Sequence, residues 1–216
     1  MSKEMEIDRF IEAIASPQHP NMHNPWRDVC ETDVRQRAHI YRKQRMKRHL
    51  SAPRPRLLII GEAPGYQGCR YSGLAFTSER QLVERFIPRM EGLEGERITD
   101  RETPWSEPSA TIVWGALHKH GLAEDTVMFN TVPWHPEGAN GKHSNRAPTA
   151  AEQASGEPYL SMLIDIYIGI QVVALGNIAS DKLVKMGVDH TKLRHPANGG
   201  ATLFRNGVAA LAANPV

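Results

Sequence analysis

The run Leu57-Leu58-Ile59-Ile60 passes directly into Gly61-Glu62-Ala63-Pro64-Gly65, and no other junction limits the possible folds as strongly. Four apolar residues in a row show no alternation, so the strand they form must be covered on both faces, as in a parallel sheet between helix layers. A glycine- and proline-rich turn at its end presents backbone N–H groups at the open edge of the sheet, where α/β folds bind ligands. Apolar runs of strand length recur at Val127-Met128-Phe129 and Val172-Val173-Ala174-Leu175. Helical patterns precede them at about 78–89, 107–120 and 149–169, and another helix is expected from Asn177. Such alternation implies a parallel sheet wrapped by helices. In the segment 149–169, Thr149 and Glu152 form a capping box, and Leu160, Leu163, Ile164 and Tyr167 form a helical stripe; Pro158 is expected to break it in two.

Length and composition narrow the function classes. At 216 residues and 40% hydrophobic content the chain suits one α/β domain, burying roughly 70% of its unfolded surface. No run of about 18 apolar residues occurs, and the opening Met1-Ser2-Lys3-Glu4-Met5-Glu6 is charged rather than signal-like, so a soluble, cytoplasmic protein is expected. Two cysteines, Cys30 and Cys69, exclude a disulfide framework or an all-cysteine cluster.

The formal net charge is only +2, but between Val34 and Arg56 the chain carries Arg35, Arg37, Arg42, Lys43, Arg45, Lys47, Arg48, Arg54 and Arg56 with no acidic residue. Two readings are open. The stretch attracts a nucleic-acid backbone, or it is the solvated side of a helix whose inner face is Val34, Ala38 and Tyr41. An amphipathic helix at 4–15 precedes it, so residues 1–55 read as a helical, basic N-terminal extension of a core at 56–213.

Three loops follow strands: Gly61 to Gly73, Asn130 to Arg146, and His195 to Gly200. In an open parallel sheet these lie on one edge and can close one pocket. The second loop holds His135, Glu137 and His143, whose spacing matches no standard metal site.

The ordered series Gly61-Glu62-Ala63-Pro64-Gly65, Gly73-Leu74-Ala75-Phe76, Phe129-Asn130, Asn145-Arg146-Ala147-Pro148-Thr149, Val173-Ala174-Leu175-Gly176 and His195-Pro196 resembles the uracil-DNA glycosylase superfamily. It is most similar to the family 4-like branch with a GEAPG first motif, over about residues 56–213. Each motif alone is weak; the order and spacing together are specific. The resemblance implies a single three-layer α/β/α domain with a short, mainly parallel four-stranded sheet flanked by helices. It also implies a monomeric hydrolase that flips uracil or another deaminated base out of DNA and cleaves its N-glycosidic bond, the first step of base excision repair.

Residue roles follow from the same resemblance. Phe76 matches the aromatic that stacks on the base, although a buried phenylalanine is equally a core residue. Asn130 matches the reader of the uracil edge, since a fixed amide can donate to O4 and accept from N3–H; an asparagine at a strand end also makes local turns. His195 matches the histidine that stabilises negative charge on the departing base, with backbone N–H groups around Glu62 and Ala63 as partners. Gly61 to Gly65 with Tyr66 form the pocket wall, and Arg146, Asn198, Gly199 and Gly200 are expected at the DNA backbone. Leu203 and Phe204 are candidates for a groove wedge, or for core.

The departures carry chemistry too. Ala63 occupies the position of a water-activating aspartate, and Gly65 that of a bulky gate, so the pocket is expected to admit more than uracil. Tyr66-Gln67-Gly68-Cys69-Arg70-Tyr71-Ser72 replaces an acidic stretch, leaving Gln67 and Tyr66 as candidates to position water. Trp134 stands where the GEAPG branch has a cluster cysteine, so no iron–sulfur cluster and no other cofactor is expected. Two alternatives to glycosylase activity remain open: a superfamily member that binds nucleic acid or a free base without cleavage, and a small nucleoside hydrolase.

Overall fold

A computed structural model describes residues 2–34, 36–90, 92–93 and 97–213; Arg35 lies outside them. Helix α1 (Lys3–Ala15) starts at Ser2, whose hydroxyl accepts the Met5 N–H at 3.3 Å, and buries the stripe Ile7, Phe10, Ile11 and Ile14. A two-residue strand β1 (Met22–His23) leads to α2 (Ala38–Leu50) and then to β2 (Leu57–Gly61), buried throughout. Two short helices follow, α3 (Cys69–Ser72) and α4 (Glu79–Val83), then α5 (Pro108–Lys119) and β3 (Thr126–Asn130). The chain continues through β4 (His135–Gly138), β5 (Gly141–Asn145), α6 (Ala150–Ile166), β6 (Gln171–Leu175), α7 (Asn177–Lys185), β7 (Thr191–Leu193) and α8 (Ala201–Ala213).

The central sheet has four parallel strands in the order β3-β2-β6-β7, flanked by helices as the alternation implied. Register places Gly61 beside Asn130 and Leu175 beside Leu193, so the loops after β2, β3 and β7 leave from one edge. Among the described residues no helix is long and apolar enough to cross a membrane.

Several expectations change. The N-terminal region is not an appendage: Phe10 meets Phe129 edge-on at 5.2 Å, and the Trp134 indole N–H donates to the Ile14 carbonyl at 3.0 Å. Trp134 is thus packed into the core, also facing His19 and Tyr159.

Four residues of the basic stretch are engaged inside the protein, whereas Arg37, Arg48, Arg54 and Arg56 are exposed. Arg42 and Arg45 are fully buried; Arg42 pairs with Asp33 at 2.5 Å and donates to the Tyr71 carbonyl at 3.0 Å, while Arg45 donates to the Ser72 carbonyl. Lys43 pairs with Glu12 at 2.8 Å and Lys47 with Asp8 at 2.8 Å, tying α2 to α1. These four residues brace the first loop and the N-terminal helix rather than presenting an open cationic face.

The segment 131–146 is not a plain loop: β4 and β5 form an antiparallel hairpin that pairs with β1. Its turn contains Asn140-Gly141, with Gly141 at φ +60°, a pair suited to a tight hairpin. Helix α4 is shorter than the pattern at 78–89, with Arg85 in a left-handed conformation at φ +56° just past its end. Helix α6 runs unbroken through Pro158. A proline inside a helix removes one N–H, and packing of the surrounding turns outweighs that loss here; Gly156 lies so close to the Thr131 carbonyl that a side chain there would overlap it.

Candidate active site

A cavity of about 430 Å3 opens at the C-terminal edge of the sheet. Glu62, Ala63, Pro64 and Gly65 line it from the loop after β2, Asn130 from the end of β3 and His195 from the loop after β7, with Phe76 beside them. Strand register brings these segments together. The loops are also stitched to one another: Thr131 donates its N–H to the Gly61 carbonyl at 2.8 Å, and Val132 to the Glu62 carbonyl at 3.0 Å.

Phe76 has φ +49°, a left-handed backbone that is strained for a phenylalanine, and only 8% of it is exposed. Gly61 makes room for it: a Cβ there would strike the Phe76 ring and lie 2.6 Å from the Asn130 Oδ1. Gly61 therefore supports the site from beneath rather than lining it. The Asn130 side chain is 4% exposed, and its amide has no hydrogen bond to any described residue, which leaves both donor and acceptor available to the cavity.

His195 is half-buried, with its ring centroid 6.1 Å from that of Phe76. Its Nδ1 accepts the Ala197 N–H at 3.1 Å, so the neutral ring carries its proton on Nε2. Burial, with Arg194 adding to it, lowers the His195 pKa below the ordinary histidine value, keeping the ring neutral near pH 7.

The first loop is held by a polar relay. Arg70 donates to His135 Nδ1 at 2.8 Å and pairs with Glu137 at 2.6 Å. His135 then carries its proton on Nε2 and donates to Asn145 Oδ1 at 3.1 Å, which also accepts the Tyr66 N–H at 2.9 Å. A guanidinium thus fills the space between His135 and Glu137, and among the described residues no group of three or more His, Cys, Asp or Glu could hold a metal.

Two carboxylates border the cavity. Burial raises the pKa of Glu62, in the first loop. Glu107, at the N-terminal boundary of α5, has its pKa raised by burial to about 7; its Oε2 is shielded from solvent and has no hydrogen-bond partner. The Glu107 carboxylate also fills the space beside Gly65, where a Cβ would lie 2.8 Å from Oε1. The opening expected from the missing gate at position 65 is therefore occupied by a side chain from another element. Glu107 was not singled out in the sequence. The available signal was an acidic residue directly before Pro108 that makes no side-chain cap to its helix.

Other expected site residues lie elsewhere. Gln67 faces a separate surface groove with Arg80 and Arg101, so it does not line the cavity where water would react. Tyr66 turns its ring toward Trp105 and His143 at the rim. Arg146 borders the cavity, but its guanidinium is bound by Glu152 at 2.6 and 2.7 Å and by the Glu137 carbonyl at 3.0 Å, leaving little for phosphate. Asn198 and Gly199 make a left-handed turn at φ +53° and +77°. Gly200 packs against the His195 carbonyl with no room for a side chain, so these three shape the loop that carries His195. Phe204 is fully buried core, whereas Leu203 is 61% exposed.

Comparison with known proteins agrees with the geometry. The family described as the uracil DNA glycosylase superfamily matches residues 49–211. Among solved structures, wild-type Pedobacter heparinus SMUG2 is similar, with a TM-score of 0.67 at 18% sequence identity, over 99% of this chain and 98% of that one. No curated protein matches the chain.

Proposed function

The chain belongs to the uracil DNA glycosylase superfamily, and from that premise we propose that it hydrolyses the N-glycosidic bond of uracil, or of another deaminated base, in DNA. The observation that carries this reading is that Phe76, Asn130 and His195, brought from three separate segments, line one cavity. Its volume, about 430 Å3, falls in the range of small-molecule sites, roughly 300–1,000 Å3.

In this reading the target nucleotide leaves the duplex stack, at a cost of a few kcal/mol, and its base enters the cavity. Phe76 covers one face. Asn130, with its amide unengaged, pairs with the polar edge; cytosine offers the reverse pattern and would strand buried polar groups. As the bond breaks, electrons flow onto the base, and the Nε2–H of neutral His195 donates to its O2. Backbone N–H groups at Glu62 and Ala63 are the expected co-donors. A neutral donor suits this task, because it stabilises charge without surrendering its proton to the leaving group.

The test is an excision panel. Purified protein is incubated with oligonucleotides holding uracil, hypoxanthine, xanthine or mismatched thymine, single- and double-stranded, and alkali-labile abasic sites are counted. Release of uracil at least is expected. Oligonucleotide binding with a steep salt dependence but no excision of any base would favour a binding protein, the outcome Ala63 would favour if no other carboxylate serves the site.

A further inference from the structure

We propose that Glu107 is a catalytic residue of this site: its carboxylate holds the attacking water and takes the water's proton as the glycosidic bond breaks. This rests on the glycosylase reading above and goes beyond it: of the two carboxylates at the cavity, Glu62 and Glu107, Glu107 is the one packed against the glycines of the first loop, and the loop positions expected to handle water do not supply that step. Ala63 has no ionisable group, and Gln67 faces away from the cavity.

Glu107 lines the same cavity as Phe76, Asn130 and His195. The backbone opposite it is shaped around the carboxylate: a Cβ at Gly65 would lie 2.8 Å from Oε1, and one at Gly68 would overlap Oε2.

A carboxylate oxygen shielded from solvent normally has a cation or a donor beside it. Glu107 has no ion pair with any described residue, and Oε2 lacks a hydrogen bond. It does not cap α5 either. A carboxylate that costs stability, makes no side-chain hydrogen bond or ion pair with any described residue and borders the cavity has the marks of a functional group.

The surroundings fix its protonation. The groups bordering the same cavity are Glu62, Cys69, His195 and Arg146. Glu62 and Cys69 are held toward their neutral forms by burial, His195 is neutral, and Arg146 is bound to Glu152. With no cation to stabilise its ionised form, Glu107 titrates near neutrality, where a general base is most effective. The step balances. The water oxygen bonds to the sugar C1′ while the C1′–N bond breaks, and the bonding pair leaves on the base against His195. The water's proton passes to Glu107, and solvent reprotonates the base.

The experiment uses the full chain, a uracil-containing oligonucleotide and single-turnover excision between pH 5 and 9. The wild-type rate should rise with pH through about 7 and level off. Glu107→Gln should lower the rate by about 100-fold or more and flatten that limb, as expected for loss of a general base. Its affinity for the same oligonucleotide carrying an uncleavable 2′-fluoro uracil nucleotide should be unchanged, and its melting temperature should not fall. Formate should restore activity to Glu107→Ala. Wild-type-like excision by Glu107→Gln, or a pH limb that persists in it, overturns the assignment. So does a loss of affinity or melting temperature that accounts for the lost rate, or failure of formate to restore activity. A wild-type chain that excises no base overturns the glycosylase reading and this one with it, whereas an active wild type with an unimpaired Glu107→Gln overturns this one alone.

Discussion

Single side chains in this site are positioned by what their other atoms do. His195 commits Nδ1 to the Ala197 N–H and therefore aims a proton from Nε2. Replacing it with alanine should lower uracil excision by about 10²–10³-fold, the loss typical of an oxyanion donor, with little change in melting temperature. Unchanged single-turnover excision would contradict the role. Asn130→Ala should cost at least as much with uracil while narrowing the difference from other bases, read from the same panel. Both residues were legible in the sequence as lining one pocket, because each ends or follows a strand at a motif position. Glu107 was not, because its meaning depends on Gly65 and Gly68, which lie in a different segment and meet it only in the folded chain. Arg146 was legible as a cation but not as a partner of Glu152; charge shows in the sequence, and engagement does not.

Elements raise a different question, since local rules compete with packing. Gly156 and Pro158 are two residues apart in α6 and should respond in opposite directions. Gly156→Ala drives a methyl against the Thr131 carbonyl and should destabilise the fold by about 1–3 kcal/mol. Pro158→Ala restores a helical N–H and should stabilise it by up to about 3 kcal/mol. Denaturant titrations measure both, and equal effects would refute this account of the helix. Three strands of the central sheet were readable from unbroken apolar runs, and most of the longer helices from apolar periodicity. The β4–β5 hairpin was missed because its residues are polar and lack alternation, although Asn140-Gly141 marked its turn. The break at Pro158 was wrong because a proline penalty of about 3 kcal/mol is small beside the burial of a long helix face.

At the scale of the whole molecule, three buried histidines couple stability to pH. Burial, then Arg70, lowers the pKa of His23 to about 2; burial, then Arg89, lowers that of His49 to about 3; burial, then Arg70, lowers that of His135 to about 4. Each stays neutral in the fold but gains a proton near pH 6.5 when unfolded. The unfolded chain thus binds more protons below that pH, and stability is lost as pH falls from about 6.5 toward those folded values, by about 1.4 kcal/mol per unit per histidine. Glu107 acts in the opposite sense, because its raised pKa gives the folded chain the extra proton between its ordinary value and about 7. Three against one leaves a net loss on acidification. Unfolding free energies at pH 7, 6 and 5 should decline, and a flat profile would refute the neutral assignments. The brace between the first helix and the strand carrying Asn130 has a practical consequence. Phe10 lies against Phe129, and the Tyr167 hydroxyl donates to the Leu50 carbonyl, while Ser51, Pro53 and Arg54 between α2 and β2 are exposed. Cut at that turn, the chain becomes two pieces that each lack half of a common core, and the fold would return only on mixing them: a fragment-complementation pair divided outside the cavity.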